Sequence, residues 1–443
     1  MSEENQDTTL ISEISKMYSE YGRYINKFRS FPYYVDGLKL VERRVLYSEY
    51  LTARKKLTKS AEVVGFCIGK LHPHGDASTY GTLVQLVNNG LSDYNGNFGT
   101  DIGMHSEPAA AMRYTEVKMK REVEDLAFQL IDYVPKESLE LPMEEPIYLP
   151  TKLPFCLLAK SSYCQGIGFG YRTYIPSYSK EDLIKRLEWL LGRSQTEPVI
   201  KPLTDCVYGN TDDDFRQILT TGKGKLLYRG RLEVDKENKS VIIRSISPSK
   251  TFTSLLNNLK NDIQVQKNIG FIDESHEDKT KVRFTLIKRG QSLDRLLSKL
   301  NILVTGSVTF ECNMCDDDGN IILVSVDQML LNAYNMYKSV NQLMLQDNIN
   351  KCQTVIDELK LVAKIKQVLP KWLKQHPDDI DLLIQGVNSD TQIDFDTIKQ
   401  LFDKYTIPKF IKCKTDTTDK ENEKNEYLDK LNNIDEFVWS MYN

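Results

Sequence analysis

The stretch SAEVVGFCIGKLHPHGDASTYGTLVQLV, Ser60–Val87, decides how the first third of this 443-residue chain reads. Val63, Val64, Cys67 and Ile68 recur at helical spacing and predict a helix over Ala61–Leu71, with Ser60 as its N-cap. A second helix is expected over about Ala77–Val87, beyond the sequence HPHGD. Two short helices in succession, flanked by lysines and arginines, are the pattern of a helix-turn-helix or winged-helix unit. The Gly/Asn loop NGNFGTDIG, Asn95–Gly103, stands where a wing would be. Directly after it comes AAAMRYTE, Ala109–Glu116, which sets Tyr114 beside the permanent cation of Arg113. Among 23 tyrosines this pair also reads as an ordinary surface Arg–Tyr contact, so by itself it assigns no chemistry.

Upstream, residues 8–28 read as an amphipathic helix through Ile11, Ile14, Met17 and Tyr21. Pro32 interrupts, and Val35–Leu51 resumes a helical pattern through Leu38, Val41, Val45 and Leu46. Downstream of Glu140 the texture changes to proline-punctuated segments, the glycine-rich GIGFGYRTYIP, and alternating stretches such as KLLYRGRLEV, KSVIIRSI and KVRFTLIKRG that read as strands. From Asp327 to Leu369 there is neither glycine nor proline, which predicts one very long helix. Tyr427, Leu428, Leu431, Ile434, Val438 and Met441 form a second helical stripe, expected to return antiparallel along it as a coiled coil. Short helices are expected between them, in HPDDIDLLIQG and DFDTIKQLFDKY. The fold class is therefore multidomain α+β, in four parts: a helical arm over 1–26, a winged-helix domain over 27–139, an α+β domain over 140–333 and a helical region over 334–443.

Composition bounds the function. The chain is 40% hydrophobic and 27% charged, ordinary for a globular protein, and no apolar run is long enough for a membrane span. The amino terminus MSEENQDTTL is acidic and polar, unlike a secretory signal, so a cytoplasmic location is expected. Eight scattered cysteines fit reduced thiols. Cys312 and Cys315 have metal-like spacing, but CNMCDDDGN reads better as a strand entering a turn, with Asp316–Asp318 solvated there. Net charge is −4, so polyanion binding needs local concentrations of positive charge. Two exist: Lys39, Arg43, Arg44, Arg54, Lys55, Lys56 and Lys59, closely followed by Lys70, and then Lys223, Lys225, Arg229 and Arg231. A solvated helix face and a polar hairpin are their plainer readings.

Set in order, RSFPYYVDGLKLVERRVLY, KSAEVVGFCIGKLHPHGDASTYGTLV, NGNFG, AAAMRYTE and PTKLPF…GIGFG closely resemble the breakage-reunion subunit of type II DNA topoisomerases, the gyrase A and topoisomerase IV family with its phage members. The resemblance implies a winged-helix cleavage domain, an α+β tower, and a long antiparallel coiled coil ending in a dimer gate. It implies that Tyr114 forms a 5′-phosphotyrosyl bond, that Arg113 neutralises charge on the phosphate, that His74 donates to the same phosphate or relays a proton, and that Arg29 is a further cation. A phenol, with a pKa of about 10, needs such help. Lys39, Arg43, Arg44, Lys70 and His72 are expected on the duplex backbone, together with Lys223, Lys225 and Arg229, and Ile167 as a wedge between base pairs. The chain ends where a gyrase A protein would continue into a DNA-wrapping domain, so a short phage-type subunit in a bacterial host cytoplasm is expected. Leu40 and Glu42 depart from the family's Pro and His, Asp93-Tyr94-Asn95 from its acidic-Gly-Gln, and an insertion falls within Leu157–Gln165.

No Walker A sequence is present, so Mg²⁺ and ATP are expected on a partner. The implied partners are double-stranded DNA, a second copy of the chain, and a gyrase B-like ATPase/toprim subunit in a heterotetramer or larger complex. A non-catalytic helix-turn-helix architectural protein is the alternative. It leaves Arg113, Tyr114, His74 and the long helix without a joint purpose. A tyrosine recombinase is a poorer match, because its nucleophile lies near the carboxyl end.

Overall fold

A computed structural model describes residues 10–100, 107–160, 163–260, 269–275, 279–286, 292–376 and 379–442. The chain divides into two units, Met1–Tyr337 and Lys338–Asn443. Four helices open the first: α1 (Leu10–Ile25), α2 (Leu40–Thr52), α3 (Ser60–Lys70) and α4 (Asp76–Asn88). Three short strands accompany them: β1 (Thr58–Lys59), β2 (Ser92–Asn95) and β3 (Glu116–Met119), joined antiparallel in the order β1-β3-β2. Val45, Leu46, Val63, Val64, Cys67, Leu83, Leu86, Val87, Val117 and Met119 are buried together between the helices and this sheet, with Ile68 half-buried at the edge.

Two helix starts differ from expectation. α2 begins at Leu40 rather than Val35 because Asp36 and Gly37 form a turn: Gly37 sits at φ 72°, and its N–H donates to the Tyr33 carbonyl at 2.8 Å. A Cβ there would meet Cys156 Sγ at 2.7 Å. The helix then starts where Glu42 accepts the Lys39 N–H at 2.9 Å. α3 begins at Ser60, yet the Ser60 hydroxyl caps nothing; it accepts from Thr115 Oγ1 at 2.8 Å. The unpaired N–H groups of this helix donate instead to a distant loop, Ser60 N to Thr115 O at 3.0 Å and Ala61 N to Met112 O at 3.3 Å.

α2 also buries a carboxyl group. Glu49 accepts the Ser92 hydroxyl on one oxygen, while among the described residues the other has no partner, and burial pushes its pKa up to about 8. An unfolded glutamate ionises near 4.5, so between about pH 4.5 and 8 only the unfolded state releases the proton. Stability should fall as pH rises through that window by about 1.4 kcal/mol per unit. Denaturant titrations should show Glu49→Gln gaining on the wild type from pH 5 to 8; parallel profiles would contradict this assignment.

Beyond residue 140 the first unit is built on antiparallel sheets. One orders Tyr163–Ile167, Arg172–Pro176, Gly306–Glu311, Lys223–Arg229 and Val207–Tyr208; the other orders Leu232–Asp235, Ser240–Ile243, Val282–Leu286 and Ile269–Asp273. KLLYRGRLEV, expected as one strand, is split between the two sheets at Gly230, where a Cβ would meet Ser245 O at 2.4 Å. Asn313–Cys315 is a strand entering the Asp316–Asn320 turn, as read. The turn is not merely solvated, because Tyr33 and Tyr34 both donate hydroxyls to the Asp317 carboxylate.

The long helix is Val326–Gln375, 50 residues, and it continues five residues past Pro370. A helix-interior proline costs about 3 kcal/mol. Burial of Leu369 among Leu383, Ile384, Val387, Ile398 and Phe410, with Trp372 and Leu373 packed against them, offsets it. Within the second unit, Lys338 pairs with Asp435, Gln353 with Lys424 and Lys360 with Glu421; the numbers rise on one side as they fall on the other, so the segments run antiparallel. The returning stripe is two helices, Thr418–Asn432 and Ile434–Ser440. Ile380–Thr391 and Phe395–Lys404 are the expected short helices, capped by Asp379 and Asp394. Among the described residues no helix is long and apolar enough to cross a membrane.

Candidate active site

Tyr114 is presented on a tight turn, its N–H donating to the Ala111 carbonyl at 2.8 Å. The ring is 64% exposed, and the Arg113 guanidinium lies 4.6 Å from its centroid. The turn is held from behind. Thr115, fully buried, donates to the Ser60 hydroxyl and lies 3.0 Å from the Tyr80 hydroxyl, which donates to the Ala110 carbonyl at 2.6 Å. With the two α3 N–H bonds to Met112 and Thr115, the backbone on both sides of Tyr114 is bolted to the helix N-terminus. Gly96 lies against the same turn at φ 101°, 3.0 Å from the Tyr114 carbonyl by its absent Cβ.

A second group forms around the HPHGD segment. The rings of His72 and His74 stack edge-on, centroids 4.2 Å apart. His72 is buried and its Nδ1 lies 2.9 Å from Arg44 Nη1, so Nδ1 accepts and the ring proton stays on Nε2. Burial, then the charges of His74 and Arg44, hold His72 down to about 4, so it is neutral at physiological pH. His74 is 45% exposed, with Nε2 3.6 Å from Glu140 Oε1. Glu140 also accepts from Arg44 at 2.5 Å and from the Tyr24 hydroxyl at 3.2 Å. Burial opposes its ionisation, but Arg44 prevails and keeps it below the usual carboxylate range. Arg29 is exposed, and its charge reaches both His72 and Tyr24.

The candidate groups lie in two pieces: an exposed phenol under a guanidinium, and an exposed imidazole beside Glu140 and the buried His72–Arg44 pair. The family model for the A subunit of DNA gyrase/topoisomerase IV matches residues 29–441. The chain belongs to this family. Among curated relatives, the DNA gyrase A subunit of Chlamydia pneumoniae is 31% identical over 391 residues, 82% of this chain and 46% of the relative. The DNA gyrase A subunit of Clostridium acetobutylicum is 30% identical over 403 residues, 85% and 46%. The chain spans about half the length of these relatives.

For a member of the gyrase A/topoisomerase IV family, three of the expected duplex-contact residues lie inside the protein. Arg44 is fully buried, bidentate to Glu145 at 2.6 and 2.7 Å and bonded to Glu140 and His72. Arg43 is buried against Asp36, at 2.7 and 3.1 Å, with its guanidinium over Tyr33. His72 is buried beside Arg44. The two arginines spend their charges on protein carboxylates and neutral His72 spends Nδ1 on Arg44, so they shape the site rather than hold DNA. The other expected contacts reach the surface: Lys70, Lys223, Lys225 and Arg229 are exposed, Ile167 is 77% exposed, and Lys39 is half-buried with its ammonium on the Gln165 carbonyl at 2.9 Å. Lys223 also pairs with Glu311 at 2.8 Å.

Among the described residues, no hydrogen bond, ion pair or ring contact joins Arg113 or Tyr114 to His74 or Arg29. Sequence reasoning missed Tyr80 and Thr115, which clamp the tyrosine turn, and Glu140 and Tyr24, which hold the histidine group. Nothing local marks them, because each works on a residue far away in the chain. His72, His74 and Glu140 place ligand-type atoms within 4.8 Å of one another. They do not suit Mg²⁺, which prefers oxygen ligands in an octahedral shell, and the Arg44 guanidinium already occupies both Glu140 and His72 Nδ1.

Proposed function

We propose that this chain is the breakage-reunion subunit of a type II DNA topoisomerase, with Tyr114 as nucleophile. The observation that carries it is the exposed Tyr114 beneath the Arg113 guanidinium on a turn anchored to α3. The Tyr114 oxygen attacks a backbone phosphorus, losing its proton; a new O–P bond forms as the bond to the 3′ oxygen breaks and that oxygen takes up a proton. The phosphodiester is conserved, so reversal reseals the strand. Arg113 stabilises the charge on the non-bridging oxygens. His74 and Arg29 act on the same phosphate, His74 as donor or proton relay. Because no contact joins the two groups among the described residues of one chain, we place them together across a homodimer.

In this reading the α2-β1-α3-α4-β2-β3 arrangement is the winged helix, 140–333 the tower and 334–443 a coiled coil with a dimer gate. Lys39, Lys70, Lys223, Lys225 and Arg229 hold the duplex backbone, with Ile167 wedged between base pairs. A toprim-bearing ATPase subunit binds Mg²⁺ and ATP. Covalent trapping tests the whole: with duplex DNA, Mg²⁺ and that ATPase partner, denaturation should leave protein linked to 5′ ends. A non-catalytic DNA-binding protein leaves none, and 3′ linkage would exclude the mechanism.

The same reading predicts weak trapping by quinolones. In bacterial relatives a serine follows HPHGD, with an acidic residue four positions on, and the pair anchors water around a quinolone-bound metal. Here the positions hold Ala77 and Gly81, both exposed on α4. The neighbouring Ser78 hydroxyl is committed to the Gly75 carbonyl at 2.7 Å. A Cβ on Gly81 meets nothing within 4 Å, so an acidic side chain fits there. Ala77→Ser with Gly81→Glu should raise drug-stabilised cleavage by about tenfold or more, the scale of recovering charge-assisted hydrogen bonds. Strong wild-type trapping insensitive to these changes would overturn the assignment.

A further inference from the structure

The five-residue π-turn Asn26–Ser30, closed by Phe31 N–H to Asn26 O at 3.2 Å, joins α1 to the segment leading into α2. Isolated π-turns recur at functional positions because they displace a side chain from regular helical register. This one carries Arg29 on its exposed side and Asn26 on its buried side. The Asn26 amide grips the tip of the hairpin that bears Ile167: its Oδ1 accepts the Phe169 N–H at 2.9 Å, and its Nδ2 donates to the Phe169 carbonyl at 3.3 Å. One side chain thus satisfies both backbone groups of a residue at a hairpin tip, as a neighbouring strand would.

The remaining contacts leave no slack. A Cβ on Gly166 would stand 2.1 Å from the Ser30 carbonyl oxygen, and one on Gly168 2.3 Å from Asn26 Oδ1, so the hairpin lies flush on the π-turn. The Phe169 ring meets Tyr18 and Tyr21 of α1 edge-on, at 5.4 and 5.7 Å between centroids. On its other flank the π-turn is tethered by Lys27, whose ammonium donates to the Asp317 carbonyl at 2.6 Å. Ile167, between the two glycines, points the opposite way, into solvent.

From this geometry we infer that Asn26 is a positioning residue that couples the seating of Ile167 in DNA to the placement of Arg29. A load on the hairpin tip passes through the Asn26 amide into the π-turn, which also carries Arg29. Bending the duplex and aligning the cation are therefore one event, so a straight segment is cut poorly even when bound. The inference rests on the topoisomerase reading and adds to it a named mechanical link.

A double-mutant cycle tests it in the assembled enzyme, with Mg²⁺ and the toprim-bearing partner present. Duplex affinity, end-to-end energy transfer on a doubly labelled duplex, and 5′-linked adducts are measured on the same proteins. Asn26→Ala and Ile167→Ala should each cut adduct formation by about ten- to a hundredfold, the loss expected of a misplaced catalytic group, and Asn26→Ala, whose amide faces the hairpin, should change duplex affinity less than about twofold. The double variant should lose no more than the worse single, because each breaks the same link. Asn26→Asp, which keeps the acceptor for Phe169 N–H and the side chain's shape, should recover part of the activity and guards against misfolding as the cause. In the DNA-free protein, Asn26→Ala should also speed amide exchange at 166–171 and 26–31 together. Multiplicative losses in the cycle, or exchange changing at the hairpin alone, would overturn the coupling. Absence of adducts in the wild type would instead defeat the topoisomerase reading, while the exchange measurement would still decide whether the clamp joins the two segments.

Discussion

Tyr114→Phe should abolish 5′-linked adducts, a loss of at least about 10⁴-fold, while duplex binding stays within about twofold of wild type. The substitution removes one oxygen. Among the described residues the Tyr114 hydroxyl has no protein partner, and the ring is mostly exposed, so the fold gives up nothing. The backbone contacts that hold DNA come from lysines and arginines elsewhere, and their salt dependence is untouched. The Arg113 guanidinium retains a ring to stack on. The outcome isolates the nucleophile: bound, bent and uncut DNA is the expected state. Arg113→Ala should reduce cleavage while leaving the nucleophile in place, a weaker phenotype of the same kind. Adducts of normal yield and polarity from the phenylalanine variant would end the assignment of Tyr114.

Arg44→Ala should unfold or strongly destabilise the first unit, by about 3–5 kcal/mol, rather than weaken DNA binding by one phosphate contact. Glu145 is buried, and both its oxygens take hydrogen bonds from Arg44, at 2.6 and 2.7 Å. Deleting the guanidinium strands that carboxylate, releases Glu140 and leaves the acceptor nitrogen of His72 without its donor. Arg44→Lys keeps the charge but offers neither the bidentate fork nor the reach to a third partner, so an intermediate loss is expected. Thermal denaturation reads the first effect; the salt slope of duplex binding reads the competing one. A fully stable Arg44→Ala protein whose slope falls by about one unit would mean that the arginine faces phosphate after all.

Periodicity located the two helices around HPHGD, the long helix, the antiparallel return and a few of the strands, because each depends on which residues share one face of one element. Motif order then singled out Arg113, Tyr114 and His74. These readings are local in the chain. The role of Arg43 and Arg44 is not, since an arginine is a surface cation or a buried strut according to whether a carboxylate meets it. The carboxylate for Arg44 arrives 101 residues later, on a segment whose own sequence says nothing of its destination. Ser60 is the same case: its position before a helix announces a cap, yet Thr115 claims the hydroxyl and the tyrosine loop supplies the carbonyls. The amino-acid sequence alone determined the main helices, the family and the candidate reactive side chains, because hydrophobic period and motif spacing are properties of neighbours along the chain. Only the tertiary structure decided which charges are spent inward, what holds Tyr114 in place and what grips the Ile167 hairpin, because those depend on hydrogen bonds between residues that only folding brings within about 3 Å.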